Sequence, residues 1–358
     1  MTILLSNDEI AGLLDINDVL VALEEAYREA AAGRAILGSR ADMVTETPHP
    51  DAVYLLKCMG STIASLGVGA IRINSDILSF PTIDGKQRRR KVPAAPGKRW
   101  TGLVLLFSNE TGEPLMIFPD GVMQRMRVAG ASALGAKYMA REDARRVALI
   151  GSGWQAGAQA MAISAVRDVE KICVYSTTRQ NREKFCEEMA PQIGVDMQPV
   201  ETAREAVEGA DIVLCATNTQ SNVLFQDWLR PGMHISTIRD NEIELAAIKS
   251  ADAVAMHFST SMDFDHYIST HGLVIGDQEK EAGNAPEMAY LRDAPTLPDL
   301  ITGKARGRSS DQDVTCFLNY HGLAIQFAAV GAVLYERAKA KGIGNNLPTD
   351  WFTEDVVS

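Results

Sequence analysis

The chain has 358 residues, enough for two domains with cores of their own, and its 46% hydrophobic and 23% charged content is that of an ordinary globular protein. A formal net charge of −11 argues against non-specific binding to nucleic acid or to an anionic membrane, while leaving room for a local cationic pocket. The five cysteines form no C-x-x-C pair, no signal peptide opens the chain and no apolar run is long enough to span a membrane, so a reduced, cytoplasmic protein is expected.

The first elements are helical. Ser6 and Glu9 have capping-box spacing. Residues 17–32 carry Val19, Leu20, Leu23, Ala26, Tyr27 and Ala30 on one face, with Gly33 as a stop. The period then shortens: 52–60, 69–78, 102–107 and 114–118 read as strands, with Asp84-Gly85 and 109–112 as turns, which predicts an antiparallel sheet. Between them, "IDGKQRRRKVPAAPGKRW" is a basic loop, either solvated or a lid over an anionic ligand.

A helix follows over 122–139, and its small residues (Ala129, Gly130, Ala133, Gly135, Ala136) suit close packing against a flat surface. Strands at 146–150, 171–175, 211–215, 234–238, 252–257 and 314–318 then alternate with helices at 154–166, 180–190 and 202–208, and a long helix at 320–341 follows. Such alternation implies a doubly wound parallel sheet of Rossmann type.

"VALIGSGWQAGAQA" places Gly151, Gly153 and Ala156 in a G-x-G-x-x-A turn between a strand and a helix. Gly151 permits the turn, Gly153 lets the backbone approach a pyrophosphate, and Ala156 keeps helix and strand close, with Trp154 and Gln155 opening the helix. The second strand ends in Ser176, where an acid would bind a ribose 2′-hydroxyl and repel a 2′-phosphate. Thr177, Thr178, Arg179 and Arg182 add hydroxyls and cations, so NADP(H) is expected over NAD(H). Thr217 and Asn218 in "CATNT", and Ile238 at the end of the 234–238 strand, are expected to line the nicotinamide side.

Four blocks in fixed order, "DGVMQRMRVAGASALGAKYMAR", "VALIGSGWQAGAQ", "DIVLCATNTQSNVLFQDWLRPGMHIS" and "GLAIQFAAVGAVLYERA", resemble the ornithine cyclodeaminase/mu-crystallin family over nearly the whole chain. The resemblance implies an α+β substrate and dimerisation domain built from 1–122 and 319–358, with the Rossmann domain, 123–318, inserted between them, and a homodimer. It implies Arg127 as the arginine for a substrate α-carboxylate, a pairing that a bidentate guanidinium suits. Arg40 matches a second family arginine, whereas Arg72 stands where the family usually has a lysine. Lys57 stands near the place where ornithine-acting members are expected to carry a glutamate, and it either transfers a proton, binds an acidic side chain or faces outward. The family's catalytic aspartate corresponds to Asp240 or Asn241 in a shortened "RDNEIEL" loop, with Asp240 preferred. His257, His266 and His271 lie near Asp263 and Asp265 without zinc-type spacing, so no metal is expected. The resulting expectation is NAD(P)(H)-dependent hydride transfer at the α-carbon of an amino or imino acid. Cyclodeamination of ornithine with a recycled cofactor, and non-enzymatic binding of NADPH and small ligands, are the alternatives.

Overall fold

The computed structural model describes residues 1–83, 86, 87, 90–219, 221–258, 265–270, 291, 293–320 and 322–355, with the backbone alone at 82, 83, 86, 87 and 265–267. Arg88 and Arg89 of the basic loop, Asp263, His271 and the side chains of Lys86, Asp265 and His266 fall outside that description. Among the described residues no helix is long and apolar enough to cross a membrane.

Ser6 closes its capping box on Glu9 and starts the helix Asn7–Leu13; Asp15 caps the next, Ile16–Ala31, which buries Val19, Leu23, Ala26 and Tyr27. The chain then builds an antiparallel ladder from Arg40–Glu46, Ala52–Ile63, Val68–Ser79, Thr101–Ser108 and Pro114–Pro119. In Val68–Ser79 every second residue is buried, as a strand covered on one face requires.

The sheet is wider and more mixed than the sequence pattern predicts. Thr2–Leu4 joins parallel to Pro114–Pro119, Asn345–Leu347 pairs antiparallel to it, and Asp265–Ser269 joins parallel to Arg40–Glu46. These additions are three to five residues long, too short for a period of two to stand out. The C-terminal helix, Ala324–Lys341, packs on the Ala52–Ile63 and Val68–Ser79 strands and against the Ile16–Ala31 helix.

The second sheet is parallel throughout, in the order Asp196–Pro199, Lys171–Tyr175, Arg146–Ile150, Ile212–Cys215, His234–Thr237, Thr315–Leu318, Ala253–Met256. Asp196–Pro199 was not expected as a strand; it ends in proline and sits at an edge, where a missing N–H is tolerated. The chain reverses its winding between Arg146–Ile150 and Ile212–Cys215, and the crevice at the carboxyl ends of these strands is where such folds bind ligands.

The helix Gly121–Met139 packs against both halves. A Cβ at Gly130 would lie 2.7 Å from Leu23 Cδ1, and one at Gly135 would run into the Phe317 ring. The small-residue face therefore seats the N-terminal helix and the second sheet at once. The architecture is the expected α/β combination of a Rossmann-type sheet and an α+β unit.

Candidate active site

The nucleotide fingerprint lies at the switch point. Gly151 follows the first strand of the second sheet with φ +124°, and a Cβ there would collide with the carbonyl oxygen of Ala216. Gly153 is the N-cap of the helix Trp154–Val166; it makes no side-chain capping bond and has nothing within 4 Å of where a Cβ would be. The first-turn N–H groups thus face an open cradle, which suits a pyrophosphate. Ala156 is fully buried under the helix, Gln155 is half-buried, and Trp154 stands 59% exposed with the Arg125 guanidinium 3.9 Å from its ring centre.

Ser176 Oγ accepts a 2.8 Å hydrogen bond from Ser152 Oγ, tying the glycine turn to the end of the second strand. Thr177, Thr178 and Arg179 are exposed, and Arg179 pairs with Glu183 at 2.7 Å. Arg182 departs from expectation. It is buried, ion-paired with Glu201 and donates to Ser176 O, so it braces the loop from inside and does not face a ligand.

Where the nicotinamide side is expected, around Thr217, Asn218 and Ile238, the acid that the structure buries is Glu242. Its carboxylate accepts from Thr217 N at 2.6 Å, Thr217 Oγ1 at 2.7 Å, Thr237 Oγ1 at 2.6 Å and Ile238 N at 3.2 Å. Burial pushes the carboxyl up, against the pull of these donors. Glu242 therefore clamps the loop carrying Thr217 and Asn218 to the one carrying Ile238. Asp240, two residues earlier, is exposed, as is Asn218, and Asn241 is half-buried. The sequence offered three neighbouring polar residues and no periodicity to choose among them.

The other half of the site is a face of the first sheet. Asp42 pairs in register with Lys57, Lys57 with Asn74 and Met59 with Arg72, which brings Arg40, Lys57 and Arg72 to one side. Arg40 grips Asp42 through Nε at 2.8 Å and Nη2 at 2.5 Å, and Lys57 Nζ stands 3.5 Å from the same carboxylate. Burial pushes the Asp42 carboxyl up, but Arg40 and Lys57 outweigh it and hold the group below its usual range. Arg72 is buried and donates from Nε to Asp120 at 2.7 Å; Asn74 donates to the same oxygen at 3.3 Å. Asp120 and Asn74 carried no sequence signal, since Asp120, at the start of the Gly121–Met139 helix, meets partners 46 and 48 residues away only through the fold.

Arg127 is the odd cation. It is 6% exposed, and among the described residues no carboxylate forms an ion pair with it. Its Nη1 donates to Gln326 Oε1 at 2.8 Å, and its Nε has no hydrogen-bond partner among the described residues. Arg127 and Arg72 stand 5.1 and 5.0 Å from the centre of the Phe327 ring. A Cβ at Gly322 would lie 2.7 Å from Arg127 Nη2, so only glycine leaves the guanidinium its place. Burial, and secondarily the Arg72 cation, pull the Arg127 pKa down to about 9. A buried cation in this condition is an anion receptor, because an arriving carboxylate offsets the desolvation.

The fold defines a dinucleotide-binding protein that also buries a pair of cations, Arg72 and Arg127, around Phe327. The chain belongs to the ornithine cyclodeaminase/mu-crystallin family, whose sequence profile matches residues 81–342. It is 27% identical over 350 residues to a Delta(1)-pyrroline-2-carboxylate reductase of Bacillus cereus, covering 96% of this chain and 99% of that one. It is 28% identical over 252 residues to an ornithine cyclodeaminase of Agrobacterium fabrum, covering 70% of this chain and 66% of that one. Among solved structures it resembles the Delta(1)-pyrroline-2-carboxylate reductase of Thermococcus litoralis, in complex with NADH and L-proline, with a TM-score of 0.76 at 27% identity over 97% of this chain and 100% of that chain.

Proposed function

We propose that the protein transfers a hydride between a nicotinamide dinucleotide and the α-carbon of an imino or amino acid, as an imino-acid reductase or amino-acid dehydrogenase. The observation that carries this reading is Arg127, buried beside Arg72 and, among the described residues, without a carboxylate ion-paired to it. The substrate α-carboxylate takes that place, with Arg72 and Arg40 adding to the positive field. Holding the carboxylate fixes the α-carbon and turns binding into orientation. The uncapped cradle at Gly153, the Gly151 turn and the Thr217–Glu242–Ile238 clamp fit a dinucleotide, with Trp154, Gln155, Ala156 and Asn218 around it. A bound nicotinamide would supply the hydride that adds to the C=N carbon, and the nitrogen then needs one proton.

Lys57 is the proposed source of that proton, because it shares a sheet face with Arg72, whereas Asp240 is exposed. Replacing Lys57 with Met is expected to lower kcat and flatten its pH profile, and replacing Asp240 with Asn to change either little. The reverse result would give the role to Asp240. The cofactor is read as NADP(H) over NAD(H): Ser176 offers a hydroxyl where an acid would repel the 2′-phosphate, and Arg179 is exposed one turn on. The Thermococcus relative is described with NADH, so any such preference arises from this chain's own residues. The proposed domains are 1–122 together with 319–358, for the substrate and the dimer contact, and 123–318, for the dinucleotide. A homodimer is proposed through the outer face of the first sheet, where Ile71, Ile73 and Leu105 are half-buried and Leu103 is 39% exposed. Its solution mass would be twice 38.8 kDa.

The test is NADPH absorbance with a panel of cyclic imino acids and of 2-oxo acids plus ammonia or methylamine. Stoichiometric loss of NADPH with one member supports the reading. Ammonia release from L-ornithine with no net cofactor change would establish the cyclodeaminase instead, and cofactor binding without turnover a binding protein.

A further inference from the structure

Behind Arg127 runs a buried chain of hydrogen bonds that no step above uses. Gln326, 0% exposed, has all four positions of its amide engaged. Its Oε1 accepts from Arg127 Nη1 at 2.8 Å and from Leu323 N at 3.0 Å. Its Nε2 donates to Tyr27 Oη at 3.0 Å and to Arg127 O at 3.3 Å. Tyr27 Oη in turn lies 2.6 Å from His257 Nε2.

The direction of the chain follows from two groups that can only donate, the Arg127 guanidinium and the Leu323 N–H. Both face the amide oxygen, so the Gln326 amide has one orientation. The NH2 group then donates to Tyr27 Oη, which leaves His257 Nε2 as the acceptor, among the described residues, for the hydrogen of the buried phenol. That nitrogen must carry a lone pair, so His257 is neutral with its proton on Nδ1. Burial raises the Tyr27 pKa, which keeps the phenol a donor. The pieces come from the Ile16–Ala31 helix, the Gly121–Met139 helix, the end of the Ala253–Met256 strand and the C-terminal helix.

We propose that Gln326 is a positioning residue for the Arg127 guanidinium, held in one orientation by Tyr27 and by His257 in its Nδ1–H form. A neutral oxygen fixes where the cation points while leaving its charge for the ligand. A carboxylate in that place would fix it and neutralise it together. The proposal rests on Arg127 receiving the substrate carboxylate.

The experiment compares wild type, Arg127→Ala, Gln326→Leu and Tyr27→Phe on 1-pyrroline-2-carboxylate and on 1-pyrroline, the same ring lacking its carboxylate, with NADPH affinity measured separately. Gln326→Leu is expected to raise KM for the acid about tenfold, the value of one hydrogen bond to a charged group. KM for the carboxylate-free ring, kcat and NADPH affinity should each stay within about twofold. Tyr27→Phe should move the same KM in the same direction by less. Because a general loosening would affect both rings, the selectivity separates positioning from stability. If Gln326→Leu does not fold, Tyr27→Phe and the 15N resonances of His257 carry the test. An unprotonated Nε2 at neutral pH supports the chain, and a protonated Nε2 overturns it. If Arg127→Ala raises KM while Gln326→Leu and Tyr27→Phe leave it unchanged, the positioning role fails alone. If Arg127→Ala itself changes nothing, the carboxylate reading fails first.

Discussion

The two halves of the site are built on opposite principles. On the second sheet the groups facing the crevice are local and largely backbone: the Gly151 turn, the uncapped helix start at Gly153, and loops clamped by Glu242 across 25 residues or fewer. Around the cations the groups are long side chains from the first sheet, three helices and the end of a second-sheet strand, with partners 48, 199, 230 and 299 residues apart. The first kind of site accepts a ligand shared by many enzymes. The second is set by which side chains the fold brings together, so it is where members of one family can diverge in substrate.

Breaking either half should leave the other readable. The largest effect is expected from Asp120→Asn, which leaves the buried Arg72 without its carboxylate. It should cost about 3 kcal/mol or more in urea unfolding, as removal of one partner from a buried pair does. Gly151→Val adds a Cβ against Ala216 O at a φ of +124°. It should weaken NADPH binding more than about 100-fold in a fluorescence titration while leaving the cation face intact. Arg127→Ala should do the converse, raising KM for the imino acid about 100-fold with NADPH affinity within twofold.

Acid should loosen the cofactor half. His234 is fully buried, and burial, aided by the Arg308 and Arg167 cations, depresses its pKa from 6.5 to about 3. The unfolded chain then binds the proton and the folded one does not, so stability falls as pH drops below 6.5. At pH 5 that loss is about 2 kcal/mol, and His234→Gln should remove this part of the slope in pH-dependent denaturation. The smallest effect belongs to Ser176→Asp, expected to shift the NADPH-to-NADH ratio of kcat/KM about tenfold toward NADH. Comparable wild-type KM values for the two cofactors would remove the NADP(H) preference altogether.

The cofactor half was legible in the sequence because its signals are short-range. A strand, a glycine turn and a helix in succession name the motif, and the alternation after it names the sheet. The short strands Thr2–Leu4, Asp265–Ser269 and Asn345–Leu347 were not legible, because their pairing is decided by partners far along the chain. On the cation face, Arg40, Lys57, Arg72 and Arg127 were picked out through family resemblance, and register brings the first three to one side. Their complements, Asp42, Asp120, Asn74 and Gln326, carry no local pattern. Arg182 shows the limit of reading charge alone: a cation in a phosphate-like neighbourhood turns inward when a glutamate stands ready behind it.

The most direct test of the account is the ratio of kcat/KM for 1-pyrroline-2-carboxylate over 1-pyrroline, measured with NADPH in wild type and in Arg127→Ala. If Arg127 receives the carboxylate of an imino acid undergoing reduction, wild type strongly prefers the acid and the preference collapses in the variant. A ratio unchanged by the substitution, or no NADPH oxidation with any imino acid offered, would contradict it.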